Sequence, residues 1–217
     1  DYPDYGFVTA NELHIPLSEA GDPWPTFLAL QSQDVIHSFW IPALNGKRDA
    51  VPRRISPWKI EADVPGFYFG QCTEFCGLSH ARMRMQAVAM TPVDFQAWVD
   101  EQMQPAAQPT DAAAERGLAV FEGQCTRCHV VNGVNGVNDD QPSKGADLVA
   151  NAAPNLTHLM SRTTFAGDVT DRRASNSQIA SSGIRQVGRP VPGFDETSMA
   201  RNSGARRKKS VGFYWLV

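Results

Sequence analysis

Cys72, Cys76, His80 and Met83 stand together in one run, QCTEFCGLSHARMRM, with four residues from the first cysteine to the second, four more to the histidine and three to the methionine. Thiolate, imidazole and thioether are soft donors, and a set of this kind selects copper over hard cations. A loop carrying them can fold back so that all four side chains meet. His37, in DVIHSFW near the end of a strand-like run, is the further ligand expected from outside the loop. A mononuclear blue-copper site takes one cysteine, two histidines and a weak methionine. This chain holds that set plus a second cysteine. Two thiolates can bridge two copper ions, with His37 finishing one, His80 the other, and Met83 as a weak axial ligand. The surplus cysteine argues for a dinuclear centre.

A second constellation is CTRCH, residues 125–129. Two cysteines spaced to meet two vinyl groups, with an adjacent histidine, form the attachment pattern of haem c. Cys125 and Cys128 would carry the thioether bonds and His129 would ligate iron. The same pattern occurs in thioredoxin-like redox sites and as half of a zinc site. The first needs a strand before the motif, where this one follows a helical run, and the second needs a further ligand pair that the sequence does not offer.

The elements that must position these residues can be read from pattern. The chain has 217 residues, 42% of them hydrophobic, which is enough for one large or two small cored domains. It has no apolar run long enough to span a bilayer, and Asp1 opens without a leader pattern, as at the start of a mature or excised domain. The first hundred residues read as strands: NELHIPL, TFLALQSQDVIHSFWI, SPWKIEADV, GFYFGQC and MRMQAVAM, punctuated by Pro and Gly. An antiparallel sandwich or barrel with functional loops at one end is expected. TPVDFQAWVDEQM then reads as a short amphipathic helix, with Thr91 as N-cap, Pro92 at the first helical position, and Phe95, Trp98 and Val99 on one face. PAAQPTDAAA is a linker, and a second helix leads into CTRCH.

Charge divides the chain. Residues 1–160 hold 10 Lys/Arg against 19 Asp/Glu, and residues 161–217 hold 10 against 4. The acidic part repels nucleic acid and favours basic protein partners. All four cysteines lie in the two tight pairs, which points to ligation or covalent attachment rather than a disulfide framework.

DVIHSFWIPAL, GFYFGQCTEFCGLSHARMRM and the spacing between them resemble the CuA domain of subunit II of haem-copper cytochrome c oxidases. The resemblance implies a cupredoxin-like Greek-key sandwich over residues 1–104. It also implies a dinuclear copper centre held by His37, Cys72, Cys76, His80, Met83 and the backbone carbonyl of Glu74. The Glu74 carboxylate would reach a Mg site shared with subunit I. One departure is AVPRRISP, where the family usually has Pro-Gly-Arg and Arg53 replaces the glycine.

RGLAVFEGQCTRCH is similar to the small cytochrome c domain fused to subunit II in caa3-type oxidases. That resemblance implies that Pro154 offers its carbonyl to His129. The likeness stops after Gly167, so residues 105–113 are expected to be a linker, 114–167 a small, incomplete α-helical cytochrome c domain, and 168–217 a divergent tail. The family's axial Met followed by Pro is absent. Met160, Met199 and His158 are the weak candidates for a sixth iron ligand.

The implied role is an electron relay: a cytochrome c or another donor reduces haem c, the electron passes to CuA and then to subunit I. The place implied is the periplasmic or extracytoplasmic face of the membrane, with anchoring helices ahead of Asp1. Rival readings are a CuA relay with a non-functional haem domain, a Sco-like copper chaperone, and a nitrous oxide reductase. The chaperone has a thioredoxin fold with helices early in the chain. In the reductase a catalytic propeller precedes the copper domain and no haem c follows it.

Overall fold

The computed structural model describes residues 2–9, 12–18, 24–126, 128–131, 153–165, 170–171 and 210–215. Seven strands precede the first helix: β1 (Glu12–Pro16), β2 (Thr26–Ser32), β3 (His37–Trp40), β4 (Lys47–Ala50), β5 (Ser56–Ile60), β6 (Gly66–Gln71) and β7 (Arg84–Met90). Helices α1 (Pro92–Gln102) and α2 (Ala112–Gln124) follow, then the short strands β8 (Thr164–Phe165) and β9 (Thr170–Asp171), and finally β10 (Ser210–Trp215). No described helix is long and apolar enough to cross a membrane.

The strands form a sandwich. One sheet has the order β1-β7-β6, the other β10-β2-β5, and β3 and β4 make a two-stranded ribbon. Strand β2 shows why the sequence folds this way: Thr26, Leu28, Leu30 and Ser32 are buried while the residues between them are more open, the period-two pattern of a strand with one face inward. Leu13 and Ile15 of β1, Leu28 and Leu30 of β2, Ile60 of β5 and Ala87 and Ala89 of β7 share one core. Strand β7 is the central strand of its sheet, with both edges paired and α1 packed on it, so Met85 to Met90 are all buried and MQAVAM is apolar except for Gln86.

The sandwich is not wholly antiparallel as expected. Strand β1 pairs with β7 in parallel, Glu12 opposite Gln86 through Pro16 opposite Met90, and β10 pairs in parallel with β2. The long separation of β1 from β7 in the chain permits this, since a parallel pair needs a crossover rather than a hairpin. Strand β4, KRDA, carries no apolar alternation, so no sequence pattern marks it as a strand. Among the described residues the divergent tail thus contributes two strands, β9 against β8 and β10 along the outer edge of β2.

Helix α1 follows its signals. The Thr91 hydroxyl accepts from the Asp94 amide at 3.1 Å, and Phe95 and Val99 are buried. Trp98 stacks on His14 with ring centroids 4.2 Å apart, which places His14 as a packing residue. Helix α2 is capped by the Asp111 carboxylate and begins at Ala112, within one residue of the helix start expected at Asp111.

The turn after β4 keeps its shape without the usual glycine. The Arg54 amide donates to the Val51 carbonyl at 3.2 Å, Pro52 takes the first corner, and Arg53 takes the second with φ of 61°. A side chain with a Cβ is strained in that region, by roughly 1–2 kcal/mol. Arg53→Gly is therefore expected to raise unfolding stability by about 1 kcal/mol, less the entropy glycine adds to the unfolded chain. Urea unfolding of the two proteins measures it, and an unchanged or lowered midpoint would show that the turn carries no strain.

Candidate metal centre

Three elements bring the soft donors together. His37 opens β3, Cys72 follows the last residue of β6, and Met83 immediately precedes β7. The Cys72 amide donates to the Met83 carbonyl at 2.9 Å, pinching the loop between them at its neck. Inside it, the His80 amide donates to the Gly77 carbonyl at 3.1 Å, and a single 3-10 turn, His80–Arg82, aims His80 back. The Thr73 amide donates to the Ser38 carbonyl at 3.2 Å and ties the loop to β3.

All six positions read from the sequence come to one place. The Cys72 and Cys76 sulfurs are 3.8 Å apart and are free thiols rather than a disulfide. His37 Nδ1 lies 3.9 Å from Cys72 Sγ, and the Glu74 carbonyl lies 3.2 Å from the same sulfur. His80 Nδ1 and Met83 Sδ each lie 3.5 Å from Cys76 Sγ. His37, Cys72 and Met83 are buried, whereas Cys76 and His80 are half-buried and Glu74 is exposed. The cluster thus has a dry inner half and an outer half at the surface.

The electrostatics fit a cation. Burial, and then the neighbouring Cys72 thiol, push the Cys76 thiol up to about 11. A metal that binds the Cys76 sulfur takes the place of that proton. Asp34 supports His37 from behind: its carboxylate meets His37 Nε2 at 2.8 Å. Burial pushes that carboxyl up, but the hydrogen bonds from His37, the Val35 amide and Ser32 outweigh it and hold it below the usual carboxylate range. With Nε2–H donated to Asp34, Nδ1 is left as the lone-pair nitrogen facing the sulfurs, the arrangement that orients a metal-binding imidazole. Asp34 was not singled out in the sequence; a carboxylate three residues before a candidate histidine was the available signal.

The second constellation is held by α2, whose last turn carries Cys125 as its cap, with Cys128 exposed and His129 half-buried. His129 Nδ1 is 2.9 Å from the Pro154 carbonyl oxygen, as the resemblance implied, so Nε2 is the nitrogen available to a metal. Two of the sixth-ligand candidates lie on described residues. Met160 is 76% exposed, and His158 Nε2 is engaged by the Gln104 carbonyl at 2.9 Å. Met199 lies outside the described residues.

The family described as "Cytochrome C oxidase subunit II, periplasmic domain" matches residues 10–90. The chain is 40% identical over 134 residues to cytochrome c oxidase subunit 2 of Alkalihalophilus pseudofirmus, covering 61% of this chain and 38% of that protein. It is 35% identical over 175 residues to the protein of the same name from Bacillus sp. strain PS3, covering 77% of this chain and 45% of the relative. The chain therefore spans less than half the length of the curated relatives it matches. The solved periplasmic domain of cytochrome oxidase subunit II from Bradyrhizobium japonicum aligns with a TM-score of 0.39 at 30% identity, over 45% of this chain and 67% of that chain.

Proposed function

We infer, from the match of residues 10–90 to the cytochrome c oxidase subunit II periplasmic-domain family, that this chain is the electron-transfer part of a respiratory haem-copper oxidase on the extracytoplasmic face of the membrane. The observation that carries the reading is the convergence of His37, Cys72, the Glu74 carbonyl, Cys76, His80 and Met83. These residues would hold the two coppers of a CuA centre. Copper bound there would supply a one-electron carrier, while these residues would hold it with little change of ligands between oxidation states.

The chain's own residues supply rigidity and placement. The pinched loop and the Thr73–Ser38 tie hold the donors in nearly one arrangement, which limits reorganisation when charge changes. The inner half is kept dry by the core. Around the outer half, Val35, Ile36, Phe75 and Leu78 stand exposed, an apolar rim suited to a protein partner, read here as subunit I. The exposed Glu74 carboxylate would reach a Mg ion shared with that subunit.

Cys125, Cys128 and His129 would carry a covalent haem c, taking electrons from a cytochrome c or another donor, with Pro154 orienting the histidine. The alignment with the Bacillus relative extends well beyond the copper domain and supports counting this segment with the rest. A second reading, a copper relay acting without a functional haem, is favoured by the exposure of Met160 and by the engagement of His158 Nε2 with the Gln104 carbonyl. The sandwich fold argues against the Sco-like chaperone.

The test is an EPR spectrum of oxidised, copper-loaded protein, with haem content read optically on the same sample. A multi-line copper hyperfine pattern shared over two nuclei is expected, with covalent haem present. A mononuclear pattern would overturn the dinuclear reading, and a copper pattern without haem would favour the second.

A further inference from the structure

Glu12 is a buried carboxylate, 5% exposed, on a strand of the sandwich. Such a group is costly inside a protein unless it is fully hydrogen-bonded. Most of its partners lie far along the chain. Its Oε1 accepts from the Thr163 amide at 2.6 Å, from the Thr164 amide at 2.9 Å and from the Thr163 hydroxyl. Oε2 meets His14 Nε2 at 3.3 Å, and Gln86, paired with Glu12 in the sheet, donates to the Thr163 hydroxyl at 3.0 Å. Burial pushes the Glu12 carboxyl up, yet the bonds from His14 and Thr163 outweigh it and hold it low, so it is an anion at neutral pH.

From Thr163 the connections run back to the haem motif. Arg162, buried beside Glu12, donates to the Asn155 carbonyl at 2.7 Å. Asn155 follows Pro154, whose carbonyl faces His129 Nδ1, and the Leu156 amide donates to the Val130 carbonyl at 2.8 Å. The bond of His158 to the Gln104 carbonyl is a second tether, at the end of α1. Strand β1 does not need this contact to exist, because it is already paired with β7 over its whole length.

The geometry points to Glu12 as a positioning residue: a latch on the copper domain that holds residues 155–164, and through Pro154 and Val130 fixes the ring of His129 against the sandwich. It rests on the reading of His129 as a haem ligand only for its purpose, since the latch itself is a contact of the chain with itself. What it would provide is a fixed distance between two electron-carrying sites on one chain.

Amide hydrogen exchange on the full chain, with and without haem attached, tests the latch. In Glu12→Gln the amides of Thr163, Thr164 and Leu156 are expected to exchange faster by about tenfold or more, because charged acceptors contribute most to such bonds. The amides of Ala87 and Ala89 in β7 should keep wild-type protection. Faster exchange at Thr163 and Thr164 alone would show a local acceptor and no latch, and unchanged exchange, or loss spread evenly over β1, β6 and β7, would also overturn the proposal. Should Glu12→Gln not fold, Thr163→Val removes one bond to Glu12 and one from Gln86, and must accelerate Leu156. Absence of haem attachment at Cys125 and Cys128 would sink the haem reading while leaving this exchange pattern as it is.

Discussion

Replacing Cys76 by serine is expected to cut copper binding from two ions to one or none, and to collapse the shared hyperfine pattern into a mononuclear one. Serine is nearly the same size, but its hydroxyl holds its proton far more tightly than a thiol and presents a hard oxygen where copper prefers sulfur. Only a thiolate can bridge at this place. Cys76 Sγ stands 3.8 Å from Cys72 and 3.5 Å from both His80 Nδ1 and Met83 Sδ, so its loss unlinks three donors at once. The affinity loss should exceed the roughly tenfold to hundredfold that follows removal of a supporting group behind a ligand. Cys76 is a better choice than Cys72, which is buried in the core cluster and whose replacement would disturb packing as well. Copper titration with EPR reads the outcome, and far-UV circular dichroism should be unchanged. A Cys76→Ser protein that still takes up two coppers with a shared hyperfine pattern would remove the thiolate bridge from the account.

How much of this was legible in the residues divides along physical lines. The ligand loop was readable because metal chemistry restricts residue type and spacing more tightly than folding does, and Cys72, Cys76, His80 and Met83 sit close in sequence. His37 was readable because a single outside histidine completes the set. The partnership of His129 with Pro154 came from the resemblance rather than from spacing, since the two are 25 residues apart. Strand β2 announced itself by alternation, whereas β4 did not: Lys47, Arg48 and Asp49 carry no apolar signal, and only Ala50 is buried. The parallel pairing of β1 with β7 could not be read at all, because register and direction across such a gap are set by the whole core rather than by either strand. Glu12 was invisible for a related reason. A lone acidic residue in NELHIPL reads as a solvent-facing strand position, and the threonines it holds are some 150 residues away.

Gly70 links the fold to the metal centre, and Gly70→Ala is expected to damage both. A Cβ at position 70 would overlap the carbonyl oxygen of Trp40 and come within 2.7 Å of Ile41 Cγ1 and 2.9 Å of the Trp40 carbonyl carbon. Most of those atoms are backbone, so no side-chain rotation relieves the clash and β6 has to move away from β3. Overpacking of this kind costs typically 1–3 kcal/mol where side chains can yield, and against backbone the upper end or beyond is expected, roughly 3 kcal/mol. The same displacement reaches the donors, because β3 begins with His37 and β6 runs directly into Cys72. Separating the strands lengthens the 3.9 Å approach of His37 Nδ1 to Cys72 Sγ and weakens the tie from Thr73 to Ser38. Thus the variant should unfold at lower urea concentration and also bind copper more weakly in its folded state. Gly46→Ala is the matched control: nothing lies within 4 Å of its added Cβ, and a change within about 0.5 kcal/mol is expected. A Gly70→Ala protein as stable as the Gly46 control would show that β6 and β3 can part without cost. One that is destabilised yet binds copper normally would show that the loop alone, and not the approach of the two strands, fixes the centre.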